Sequence, residues 1–267
     1  MSARATAVWF IDTPDATVRI REGLINSSDD AGRLIQSIYG DKVLVPAIET
    51  DLATAAAMSE SDPDSVVYGG SYGGLAVVVC SLFATSRPST LTKTISAVRN
   101  SHVVTLLHTD PATALGAFAR WEEGTLRRSF SADPVDIHED EGLPFVFERP
   151  FWAGEHPIYY APGTQPELMA LPFHPQELAE QANRDWLGFR FTQPLADTDT
   201  DPATIPVTGF RVRPAGYVPT EDDRITTVPA PFQTPVPVPP AGAPGPQDPG
   251  GKPKGRFRKR FGQYFGV

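Results

Sequence analysis

With a single cysteine, Cys80, in 267 residues, the chain can close no internal disulfide and build no cysteine-rich zinc cage. Its place in "LAVVVCSLF" suits a buried thiol in a reducing compartment. Nowhere do the roughly 18 apolar residues needed for a membrane span run together, and "MSARATAVWFIDTPD" lacks the long apolar core of a cleavable signal. A cytoplasmic protein is expected. Positive charge is also scarce: 23 Lys and Arg face 32 Asp and Glu, a formal charge of -9. Lys252, Lys254, Arg256, Arg258, Lys259 and Arg260 stand together near the C-terminus, and taking their +6 away from -9 leaves -15 on the rest. Such a body repels nucleic acid, which is not an expected partner; only the terminal segment suits anionic surfaces.

Proline is the residue in excess. The 28 prolines are well above the typical usage of about 5%, and they crowd beyond residue 200. The expected organisation is a globular α+β domain over 1–193, a disordered Pro/Thr/Asp-rich linker over 194–253, and a basic aromatic segment over 254–267. Too few large apolar residues remain in the linker to offset the entropy of ordering it. A lone strand in "TGFRVRPAGYV" is the one exception allowed there.

Within 1–193 the pattern predicts a buried strand at "TAVWFID" and a helix over 27–40, with a serine cap, Ala31, Leu34 and Ile35 at helical spacing, and Gly40 as a stop. "KVLVPAIE" reads as an edge strand because of Pro46. "SVVYGGSYGGLAVVVCSLF" supplies one or two strands. A helix opened by Pro88 follows, then a strand at "HVVTLLHT" and a hairpin over 116–133 turning at Glu123-Gly124. The last helix starts at Pro175, carries Leu178, Ala182 and Trp186 on one side, and stops at Gly188. This order predicts a ferredoxin-like, split βαβ mixed sheet, with the helices on one face, an extra hairpin and a C-terminal helix.

Gly69-Gly70-Ser71-Tyr72-Gly73 satisfies the G-x-S-x-G pattern of a nucleophile elbow, which needs a strand before the serine and a helix directly after it. Asp133 and His174 complete a Ser-Asp-His order on paper. Against a serine hydrolase stand Val77, Val78 and Val79, consecutive β-branched residues that favour a strand where the helix should be. The favoured reading is a glycine-rich turn in a binding or accessory protein, with the hydrolase as the alternative.

At "WEEGTLRRSFSADP", "GLPFVFERPFWAGEHP" and "LPFHPQELAEQANRDWLGF" the chain resembles an uncharacterised family of unknown function found mainly in actinobacteria. The resemblance covers about residues 5 to 192, and its Trp-Ala-Gly-Glu-His-Pro run is the specific part. It implies a bacterial cytoplasmic protein of α+β type and carries no activity, cofactor or catalytic residue with it.

Two surfaces remain as candidates. The proline-rich aromatic strap over 142–160 and its neighbours collect Trp121, Glu148, Arg149, Trp152, Glu155, His156 and His174, which suits either a structural cover for the sheet or a small-molecule site walled by indoles. "DPVDIHEDEG" reads as a solvated acidic loop, and neither a metal nor a cofactor is indicated. In "GRFRKRFGQYFGV", a helical turn puts Phe257, Phe261, Tyr264 and Phe265 on one stripe, while Arg256, Arg258, Lys259 and Arg260 supply charge. Folding on an acidic protein partner or an anionic membrane surface is the expectation, which makes peripheral membrane association possible without a transmembrane segment.

Overall fold

Seven consecutive buried residues, Ala5–Ile11, form the strand around which the sheet is organised. The computed structural model describes residues 3–58, 66–159 and 169–223. In chain order the elements are β1 (Ala5–Ile11), α1 (Ala16–Glu22), α2 (Ser28–Tyr39), β2 (Val43–Asp51), α3 (Leu52–Met58), β3 (Val66–Ser71), β4 (Leu75–Val79), α4 (Thr92–Val98), β5 (Val103–Asp110), β6 (Leu115–Glu122), β7 (Thr125–Ala132), β8 (Ile137–Gly142), α5 (Arg149–Trp152), α6 (Pro175–Leu187) and β9 (Pro206–Arg213). The nine strands lie in the order β2-β9-β3-β4-β1-β5-β6-β7-β8. Every neighbouring pair is antiparallel, so the expected mixed sheet is corrected to an antiparallel one. Each helical crossover from β1 and β4 lands beyond a strand of opposite direction, and no parallel neighbours result.

Alternation along β1 divides the core in two. Ala5, Ala7, Trp9 and Ile11 pack with residues of α1, α3, α5 and α6, whereas Val8 and Phe10 pack with α2 and α4. Helices therefore cover both faces rather than one. The second face is the one the periodicity described: Ser27 accepts the Asp30 N–H to cap α2, and Ala31, Leu34 and Ile35 are buried. On the first face the apolar residues are spread over four shorter or more polar helices, whose periodicity is weak.

Two boundaries move. β9 lies between β2 and β3, paired to both: the strand allowed in "TGFRVRPAGYV" is part of the sheet, so the ordered fold runs past residue 193 into the expected linker. Val207 and Phe210 of β9 sit in opposite cores, which gives this short apolar pattern two faces to bury. Of the acidic stretch 133–142 expected as a loop, residues 133–136 form a turn and Ile137–Gly142 is β8, at the sheet edge. Its charges suit that place, because charged edge strands resist pairing with other chains. β2 closes the other edge, and its register shifts between Pro46 and Ile48. The rest of the expected linker beyond residue 223, and Arg256, Phe257, Arg258, Lys259, Arg260, Phe261, Tyr264 and Phe265, lie outside the described residues. Among the described residues, no helix is long and apolar enough to cross a membrane.

Candidate functional site

Ser71 is the last residue of β3, paired with Ala76 of β4, and 7% exposed. A three-residue turn joins the two strands; Gly73 has φ +80°, and the Tyr72 N–H donates to the Leu75 carbonyl. The backbone N–H of Ser71 donates to Asn26 Oδ1 and its carbonyl accepts from the Ser27 N–H. An elbow needs a helical N-terminus under the serine to hold an oxyanion; here β4 occupies that place. Asp133 follows β7, five strands from β3, which at about 4.8 Å per strand is about 24 Å away. His174 precedes α6, and Asp133 pairs instead with His138. The three residues do not form a triad.

The strap residues also part company. Trp121 is buried on the α2/α4 face, with its indole N–H donating to Thr92 Oγ1, and belongs to no site shared with the strap. On the other face, the strap forms short helical turns, and Phe147, Phe151 and Trp152 pack edge-on against Phe118, Phe130, Phe173 and Trp186. Arg149 and Glu155 are exposed. Glu148 is fully buried and takes a bidentate ion pair from Arg128, Nε to Oε1 at 3.0 Å and Nη2 to Oε2 at 2.8 Å. Burial opposes the Arg128 charge, but its bonds to Glu148 and Asp140 outweigh that and raise its pKa.

His156 and His174 do converge, at the start of α6. The His156 ring stacks on Phe151 at 3.8 Å between centroids, and its Nδ1 lies 2.9 Å from Glu177 Oε1. His174 and Glu177 line a cleft of about 680 Å³ together with Gln176, Glu180, Arg190 and Thr192, and with the apolar Pro111, Ala114 and Pro194. The volume is ordinary for a small-molecule site, about 300–1,000 Å³. Gly116 of β6 lets the helix start lie on the sheet: a Cβ there would stand 2.2 Å from the Pro175 carbonyl oxygen and 2.5 Å from the Gln176 nitrogen.

A polar stripe of α6 faces inward at this end. Gln176, Glu180 and Asn183, spaced i, i+4 and i+7, are 4%, 3% and 3% exposed. Asn183 donates to the Phe189 carbonyl. Glu180 accepts from the Phe191 N–H at 2.9 Å and from Thr192 Oγ1 at 3.0 Å. Burial raises the Glu180 pKa against those bonds and the attraction of Arg190. The folded state therefore favours the protonated carboxyl, a stabilisation complete below the ordinary glutamate range and lost as pH rises through the raised value. Gln176 Nε2 is buried and has no hydrogen-bond partner among the described residues. Arg190 Nε also lacks one: it stands 3.2 Å from Asp199 Oδ2, an ion contact without hydrogen-bond geometry.

A family of unknown function (DUF6928) matches residues 5–210, from the first residue of β1 into β9. The chain belongs to the DUF6928 family. No curated protein and no solved structure matches it. The match takes in eight strands of the DUF6928 sheet and most of the ninth, β9, in the segment that the composition assigns to a linker. Of the residues that line this DUF6928 cleft, only His174 is among those singled out from sequence. Gln176, Glu180 and Asn183 were legible as a polar stripe at helical spacing, but such a stripe ordinarily faces water. What covers it is the chain at 189–192, and that return carries no local signal.

Proposed function

We propose that this protein is a binding module that holds a small polar ligand in the cleft at the start of α6. One observation carries the reading: Gln176 Nε2, a buried side-chain nitrogen without a hydrogen-bond partner among the described residues, belongs to a residue lining this cleft, beside Arg190, whose Nε has only the ion contact with Asp199. An unsatisfied buried donor costs about 1–3 kcal/mol, a cost that a ligand acceptor removes. The frame is proposed as a ferredoxin-like unit, β1-α2-β3-β4-α4-β5; supporting it are the strand order β3-β4-β1-β5 and the placement of α2 and α4 on one face.

Thermal-shift screening of small polar metabolites against the wild type and Gln176→Leu tests the cleft. The variant removes the orphaned donor, so without ligand it should melt no lower than the wild type, while compounds that raise the wild-type Tm should leave it unmoved. Equal shifts in both proteins would refute the reading. The basic aromatic segment 254–267 is proposed, on its residue pattern, to dock on an anionic membrane or an acidic partner. In liposome flotation with anionic vesicles, the full chain should float and a chain ending at residue 251 should not; equal flotation would remove the membrane version.

A further inference from the structure

The donors and acceptors around the cleft restrict what it can hold. Gln176 Nε2 needs an acceptor, and the Arg190 guanidinium, in ion contact with Asp199 at 3.2 Å through Nε and close enough to Glu180 to bear on its ionisation, carries positive charge at the same wall. The dipole of α6 adds to this preference at its first turn, although the Glu177 and Leu178 N–H groups there already donate to the His174 carbonyl. His174 makes no capping hydrogen bond with its side chain and stands at the same end.

Acceptors stand in the same cleft. Glu177 has one oxygen held by His156, and the Glu180 oxygens accept from the Phe191 N–H and from Thr192, bonds that leave a carboxyl lone pair over. A simple anion would satisfy Gln176 and Arg190 but face both glutamates. A simple cation would satisfy the glutamates but meet Arg190 and leave the Gln176 amide orphaned. A neutral ligand would give the Glu177 carboxylate no opposite charge to meet.

Resting on the cleft being a ligand site, we infer that its ligand is a small zwitterion of the α-amino acid class, its carboxylate received by Gln176 and Arg190 and its ammonium by Glu177 and Glu180. Pro111, Ala114 and Pro194 give the carbon skeleton an apolar wall. Buried polar groups matched on both sides make such a site selective, since an analogue lacking one partner leaves a site group unpaired.

The experiment titrates the full chain calorimetrically with three matched panels: free amino acids, their N-acetyl derivatives, and their carboxamides. At least one free amino acid should bind, with its N-acetyl and carboxamide forms weaker by tenfold or more. Glu177→Gln, a change at an exposed position, should weaken the free form about tenfold and leave the N-acetyl form unchanged. Equal affinity across the panels would overturn the ligand class and leave the cleft reading intact. So would a Gln176-dependent shift from some other polar compound with none from free amino acids. Absence of any Gln176-dependent binding would overturn both.

Discussion

Replacing Arg128 by Met should lower stability by about 3–5 kcal/mol, because it strands a fully buried carboxylate. For a domain of this size that corresponds to a fall in Tm of about 6–20 °C. The magnitude follows from how much the guanidinium holds. Besides the two bonds to Glu148, Nη1 reaches Asp140 Oδ1 at 2.5 Å and the Glu141 carbonyl at 3.1 Å, tying β7 to the edge strand β8. Glu148 in turn accepts the Phe145 N–H at 2.8 Å, so the pair also fixes the first turn of the strap over Phe118 and Phe130. Methionine fills comparable volume and supplies none of this. The double variant Arg128→Met/Glu148→Leu should recover a large part of the loss, since the buried charge leaves with its partner. Differential scanning calorimetry of the four proteins measures the coupling. A single Arg128→Met variant melting within about 1 °C of the wild type would mean that the pair contributes nothing.

The contrast between what was legible and what was not follows the range of the interactions. α2, the Glu123-Gly124 hairpin and the Pro175–Gly188 helix are written in local spacing and caps, and they appear where the pattern puts them. β9 is held by pairing with strands about 140 to 170 residues earlier in the chain, and its "PVTGFRVR" sits among prolines, threonines and aspartates that dominate any composition window. β8 is hidden by charge, because an edge strand keeps its backbone pairing with one neighbour while its side chains remain free to be acidic. The strap residues were placed by shared composition, yet Trp121 and Glu148 fall on opposite faces of the sheet, as β6 alternation dictates for Trp121. Arg128 carries no sequence signal beyond being one of two adjacent arginines in a hairpin. Its partner lies 20 residues away across a turn that only the folded sheet brings back.

Gly116→Ala should both destabilise the protein and empty the cleft, and it separates position from chemistry in a way Gln176→Leu cannot. The new Cβ would stand 2.2 Å from the Pro175 oxygen and 2.3 Å from its carbonyl carbon, backbone atoms that cannot rotate aside. Relief requires the first turn of α6 to lift from β6 by about 1 Å, with a cost of about 1–3 kcal/mol for overpacking of this kind. The lift carries His174, Gln176 and Glu177 away from the Pro111–Ala114 turn, while Arg190 and Thr192 stay with the segment that follows the helix. A misplacement of that size is enough to weaken a site built from several convergent groups. Gln176→Leu should therefore bind no ligand at unchanged stability, whereas Gly116→Ala should lose at least tenfold in affinity together with a Tm lower by about 2–12 °C. Retention of wild-type affinity by Gly116→Ala, with its lowered Tm, would show that the start of α6 does not form the site, since the helix cannot hold its position over an added methyl.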